Sequence, residues 1–171
     1  VLRGKYPGAT FVDAAGGLIM PGLINTHMHF YSSFARGMDL KAQSPQEFGQ
    51  ILERLWWRLD KVLTPEDVYY SAAVAMMDCI RNGVTTVFDH HASPGCVEGS
   101  LFQIADAAKE LGLRTCLCYE VSDRDGEAVA AQGIAENAAY IRDCQQANDP
   151  MRRALFGLHA SFTLNDDLLR R

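Results

Sequence analysis

The sequence predicts an α/β fold with a parallel sheet, and three observations carry that prediction. Short apolar, β-branched runs alternate with helical patterns along the chain. The chemistry-bearing side chains gather where those runs end, as they do at the carboxyl ends of parallel strands. At 171 residues and 48% hydrophobic content, the chain is long enough to bury one sizeable core.

Leu18 to His29 is apolar, broken by Pro21-Gly22, and predicts a turn into a short buried strand, Leu23 to His27. A barrel or a doubly wound sheet would start this way. Between Pro45 and Asp60, apolar residues at Phe48, Ile51, Leu52, Leu55 and Trp56 recur with the spacing of an amphipathic helix. Thr64-Pro65-Glu66-Asp67 is a helix start, with a hydroxyl cap, a proline at the first helical position and acids in the first turn. Asn82-Gly83 ends that helix. Val84 to Asp89 predicts a second strand, Leu101 to Leu111 a helix stopped by Gly112, and Leu113 to Glu120 a third strand. Alanine-rich Glu127 to Gln146 is helical, Ala154 to His159 is a fourth strand, and Asn165-Asp166-Asp167 caps a last helix. The order is β-αα-β-α-β-α-β-α, which right-handed crossovers turn into a parallel sheet.

Lys and Arg total 16 against 21 for Asp and Glu, a net charge of -5 that leaves no basic footprint for nucleic acid or an anionic membrane. The expected partner is a small-molecule substrate, with a homo-oligomer left open. Five cysteines, an odd number with no C-x-x-C pair, read as reduced thiols in a cytoplasmic protein. No signal peptide is visible, and no apolar run approaches the roughly 18 to 20 residues of a membrane span. The chain begins at Val1 and stops at Arg171 within the first turn of a helix, so it reads as a fragment.

All five histidines fall at predicted strand ends: His27 and His29, His90 and His91, and His159. His27 and His29 are two apart, so an extended backbone projects both from one face, where they can reach one ion at about 2.0 to 2.1 Å. Neutral imidazole suits zinc first, with iron the alternative. His90 and His91 are adjacent and point to opposite faces, so at most one lines a pocket; His91 is the preferred one. Trp56-Trp57 offers an aromatic wall for a flat heterocycle, against the plainer reading that Trp56 packs its helix and Trp57 is half exposed. Glu120 is either a pocket residue or a solvated strand end. Cys96 reads as a bystander thiol.

The run Ala14-Ala15-Gly16-Gly17-Leu18-Ile19-Met20-Pro21-Gly22-Leu23-Ile24-Asn25-Thr26-His27-Met28-His29 resembles the signature that opens the metal-binding barrel of the amidohydrolase superfamily. Leu55 to Asp60, Asp89 to Pro94 and Gly157 to Thr163 are similar to the SsnA-type aminohydrolases, relatives of the chlorohydrolase and purine-deaminase groups. The resemblance implies the first half of a (β/α)8 TIM-type barrel: residues 1–20 as a remnant of a flanking β-sandwich and 21–171 as the first four β/α units. It implies one divalent metal on His27 and His29, with the remaining ligands and the acid/base group beyond Arg171. Leu158-His159-Ala160 stands where binuclear relatives carry a bridging lysine, which favours a mononuclear, deaminase-like site. His159 then lies where such relatives place a histidine against substrate; a purely structural histidine is the alternative. With His91 and Trp57, it completes the substrate-binding candidates. The implied function is attack by metal-activated water on a C–N or related bond of a cyclic, amine-bearing small molecule. The alternative is a catalytically inert structural piece of such an enzyme. A flavodoxin-like binding domain would need a phosphate-cradling glycine loop, and none is present.

Overall fold

The computed structural model describes residues 2–39, 41 and 43–171. Its centre is a parallel sheet in the order β1 (Leu23–Met28), β2 (Val84–His91), β3 (Arg114–Tyr119), β4 (Arg152–Ala154). The helices Pro65–Arg81, Ser100–Leu111 and Glu127–Ala147 return the chain between successive strands, so the α/β fold is formed as the alternation predicts. Val87, Leu117 and Tyr119 of the sheet meet Val68, Ala72, Met76, Leu101, Ile104 and Tyr140 of these helices in one core cluster.

Local chemistry sets the boundaries. The Thr64 hydroxyl accepts from the Asp67 amide at 3.2 Å while Asp67 Oδ2 accepts from the Thr64 amide at 2.9 Å, a reciprocal capping box. Ser100–Leu111 follows Gly99, which has no side chain to cap it. The carboxylate of Glu136, on the neighbouring helix, accepts instead from the amides of Gly99 at 2.8 Å and Leu101 at 2.9 Å. Asn137 grips the end of β3 from the same helix: its side chain accepts from the Tyr119 amide and donates to the Tyr119 carbonyl, both at 2.9 Å.

Three elements differ from expectation. β1 is not buried: Leu23 is 53% and Ile24 61% exposed, because β1 is an edge strand paired on one side only. The helix foreseen over Pro45 to Asp60 begins at Phe48 and runs to Val62 through an α-helical turn, a π-type turn at Leu52–Trp56 and a final 3-10 turn. Its apolar stripe is accordingly not all buried, and Phe48 faces outward. β4 ends at Ala154, where a longer strand to His159 is expected. Beyond it the Gly157 carbonyl and His159 amide still bond Val121, at 3.3 and 3.0 Å, as an irregular continuation along β3.

Among the described residues of 2–20 there is one helical turn, Leu2–Lys5, and no strand; Gly4 to Met20 is exposed throughout. Among the described residues no helix is long and apolar enough to cross a membrane.

Candidate functional site

A cavity of about 480 Å³ opens where the strands end. β1 sends in His27 and, one residue beyond its end, His29; β2 sends in His90; Glu120 follows β3, and His159 lies on the irregular continuation of β4. Tyr31 and the helical run that carries Trp56, Trp57 and Asp60 close the opposite side.

The Nε2 atoms of His27 and His29 converge to 3.1 Å. His29 Nδ1 lies 2.9 Å from the His90 carbonyl oxygen, which can only accept, so Nδ1 carries the hydrogen and Nε2 a free lone pair. Burial lowers the pKa of His29, keeping the ring neutral near pH 7. A neutral imidazole tied by its far nitrogen to a backbone carbonyl is what a metal ligand requires, and 3.1 Å is close to the separation of two nitrogens sharing one tetrahedral ion. The pair therefore fits a divalent metal. Among the described residues no group of three or more His, Cys, Asp or Glu side chains is arranged to hold an ion, so the fit is that of a partial ligand shell.

His159 is fixed by similar logic. The Thr163 hydroxyl donates to the Ala160 carbonyl at 2.7 Å and accepts from His159 Nδ1 at 2.7 Å, leaving His159 Nε2 as an acceptor. Burial, and then the charge of Arg124, push its pKa down to about 4. Glu120 sits between the two histidines, Oε1 3.4 Å from His29 Nδ1 and Oε2 4.0 Å from His159 Nε2. Burial lifts its carboxyl to about 8 against the opposing charge of Arg124.

Two loops are braced at the cavity wall. Arg124 donates to Asp60 at 2.5 Å, Lys61 pairs with Asp125 at 2.8 Å, and the Arg124 guanidinium lies 5.2 Å from the centre of the Trp57 ring. Burial pushes the Asp60 carboxyl up to about 6 even beside Arg124. Trp57 thus stands on the cavity wall, its ring 6.5 Å from that of His159.

The preference for His91 is corrected. Val87, Asp89 and His91 alternate onto the face packed against the helices, and His91 is 0% exposed, with Nε2 2.9 Å from Ser93 Oγ. His90 has the opposite parity and is the one that lines the cavity. Burial drives His91 down to about 3, as expected for a ring sealed in the core. Sequence reasoning left Glu120 uncommitted and did not single out Asp60 or Arg124. The strand-end position of Glu120 was its signal; the Asp60–Arg124 pair spans 64 residues and had none.

The model of the amidohydrolase family matches residues 18–171. The chain belongs to the amidohydrolase family. A 5'-deoxyadenosine deaminase of Methanosarcina barkeri is 30% identical over 162 residues, covering 95% of this chain and 35% of the relative. An 8-oxoguanine deaminase of Pseudomonas aeruginosa is 30% identical over 145 residues, 82% of this chain and 31% of the relative. In fold, this amidohydrolase-family chain is similar to the atrazine chlorohydrolase of Arthrobacter aurescens TC1 complexed with zinc. The TM-score is 0.63 at 20% identity, over 86% of this chain and 36% of that one. The chain spans about a third of the length of the curated relatives it matches.

Proposed function

We propose that this amidohydrolase-family chain supplies the first β/α units of a metal-dependent hydrolase, one that removes an amino or equivalent leaving group from a cyclic, amine-bearing small molecule. The observation that carries the reading is the converging Nε2 pair of His27 and His29, with His29 pinned through Nδ1 to the His90 carbonyl. A divalent metal bound there supplies a Lewis acid that activates water at neutral pH. Zinc is the proposed ion: the atrazine chlorohydrolase of similar fold is complexed with zinc, and the donors here are imidazoles.

The chain's own residues divide the remaining work. His27 and His29 hold the ion. His159 offers its Nε2 lone pair to an N–H of the substrate, held in that tautomer by Thr163. Trp57, backed by Arg124, gives a flat ring a surface to stack on. Tyr31, Trp56 and Leu52 exclude water from the same wall. Residues 1–20 belong, in this reading, to a flanking unit and 21–171 to the barrel. The five free thiols are consistent with a cytoplasmic protein.

A second reading, that the chain alone is catalytically inert, is favoured by the lack of a third ligand among the described residues. One experiment addresses both: metal analysis and ammonia release from aminated heterocycles, run on this chain and on a full-length protein that contains it. Metal and turnover in the full-length protein alone fit both readings, whereas a full-length protein without metal contradicts the first.

A further inference from the structure

Glu120 lines the cavity, yet among the described residues no side chain or amide is seen to donate a hydrogen bond to its carboxyl group. The nearest nitrogen, His29 Nδ1 at 3.4 Å, is committed to the His90 carbonyl at 2.9 Å. The next, His159 Nε2 at 4.0 Å, is an acceptor because Nδ1 holds the hydrogen. The carboxylate does not drift toward other donors, because its backbone is fixed: the Glu120 amide donates to the His91 carbonyl at 2.8 Å and Asn137 clamps Tyr119 on both sides. A buried carboxyl oxygen without a donor costs free energy, and a ligand that brings an N–H removes that cost.

The rest of the lining points the same way. The other carboxylate on the wall, Asp60, is bonded through Oδ2 to Arg124, and its buried Oδ1 has no hydrogen-bond partner among the described residues. Among the described residues lining the cavity there is no Lys or Arg to receive an anion. Trp57 provides the flat surface.

We propose that Glu120 is a specificity-determining residue, whose carboxyl oxygen accepts a hydrogen bond from the N–H edge of a planar heterocycle stacked on Trp57. This deepens the reading above and takes from it only that the cavity holds a heterocycle. A ring bearing an amino group gains a partner at Glu120. A ring with a methyl group there leaves the Glu120 oxygen unpaired.

The test uses the zinc-loaded full-length protein and two probes on one ring: 2-aminobenzimidazole and 2-methylbenzimidazole. Dissociation constants come from calorimetry, with zinc content measured in parallel. The amino probe is expected to bind more tightly than the methyl probe by at least about tenfold. Glu120→Leu brings the amino and methyl probes within about threefold of each other, Glu120→Gln retains part of the gap because its amide oxygen still accepts, and both keep the zinc of the unmutated protein. An unchanged gap in Glu120→Leu, no gap in the unmutated protein, or zinc lost from both variants overturns the proposal. Loss of zinc would mean that Glu120 acts through His29. Selective binding without ammonia release from any aminated ring supports Glu120 and overturns the hydrolase reading alone.

Discussion

His29 Nδ1 and the His90 carbonyl oxygen lie 2.9 Å apart, and this contact ties the end of β1 to the end of β2. It fixes the tautomer of His29 and aims Nε2 at His27. Because the partner is main chain, no substitution at His90 removes it directly. His90→Ala should therefore leave metal content unchanged while opening the cavity wall, and metal analysis of that variant checks it. Metal lost with the His90 side chain would make His90 itself a ligand.

The sheet-end position of His159 predicts a split between binding metal and turning over substrate. His159→Ala in the full-length protein should keep its metal and lose on the order of 10² in turnover, the usual scale for removing a positioned acid/base or hydrogen-bonding group. Metal analysis beside steady-state kinetics separates the outcomes. Loss of metal would place His159 on the ion, and no change in either would leave it a structural histidine bonded to Thr163.

The pH dependence of stability has opposite signs on the two sides of neutrality. Burial lowers His91 to about 3 and His159 to about 4, so these rings stay neutral in the fold and stability is lost as pH falls below about 6.5. Glu120 is raised to about 8 from its ordinary 4.5, so the folded form keeps a proton that the unfolded chain has released. Its contribution is complete at low pH and disappears as pH rises toward 8. Asp60, raised to about 6, acts with the same sign lower down. Between about pH 6.5 and about 8, Glu120 still contributes, as does Asp89, whose carboxyl burial raises well above the usual range, so chelator-treated protein should lose unfolding free energy over that interval and Glu120→Gln should lose less. Denaturant titrations at several pH values test it; parallel curves for the two proteins would contradict it.

Glu136 replaces the cap that Gly99 cannot provide. Glu136→Ala strands the amides of Gly99 and Leu101 at a buried helix start and should cost about 1–3 kcal/mol. Glu136→Gln, with one acceptor oxygen in place of two, should fall between. Equal midpoints for Glu136→Ala and the unmutated protein in urea unfolding would show that solvent caps the helix.

The strands and long helices were legible because their signals are local. The Thr64 cap, the Gly112 stop and the β-branched, aromatic run Val84 to Asp89 each act within a few residues, and each element formed within a few residues of its expected place. The His27/His29 pair was legible for the same reason: parity along one strand. Choosing between His90 and His91 required knowing which face of β2 meets the helices, a tertiary fact, and the choice of His91 was wrong. β4 was placed too late because Ala154 to His159 has strand-like composition, whereas Gly157 presses its backbone against β3. A Cβ there would stand 2.4 Å from the Tyr119 carbonyl oxygen. The Asp60–Arg124 brace and the Glu136 cap join residues far apart in sequence and left no local trace.

Gly157 offers a fifth check. Gly157→Ala must push the backbone off β3, with an expected loss of about 1–3 kcal/mol and displacement of His159 two residues on. The unfolding midpoint, together with the NMR shift of the His159 ring, reads both effects. A variant with unchanged midpoint and shift would show that β4 and its continuation are not held against Tyr119.

The most direct measurement is elemental analysis of the full-length protein carrying His27→Ala and His29→Ala together. With both Nε2 donors removed, the remaining groups lose the pair that converges at 3.1 Å, and bound metal should fall from about one ion per chain to a trace. A double variant with the same metal stoichiometry as the unmutated protein, still folded by circular dichroism, would contradict the assignment of the ion to this pair.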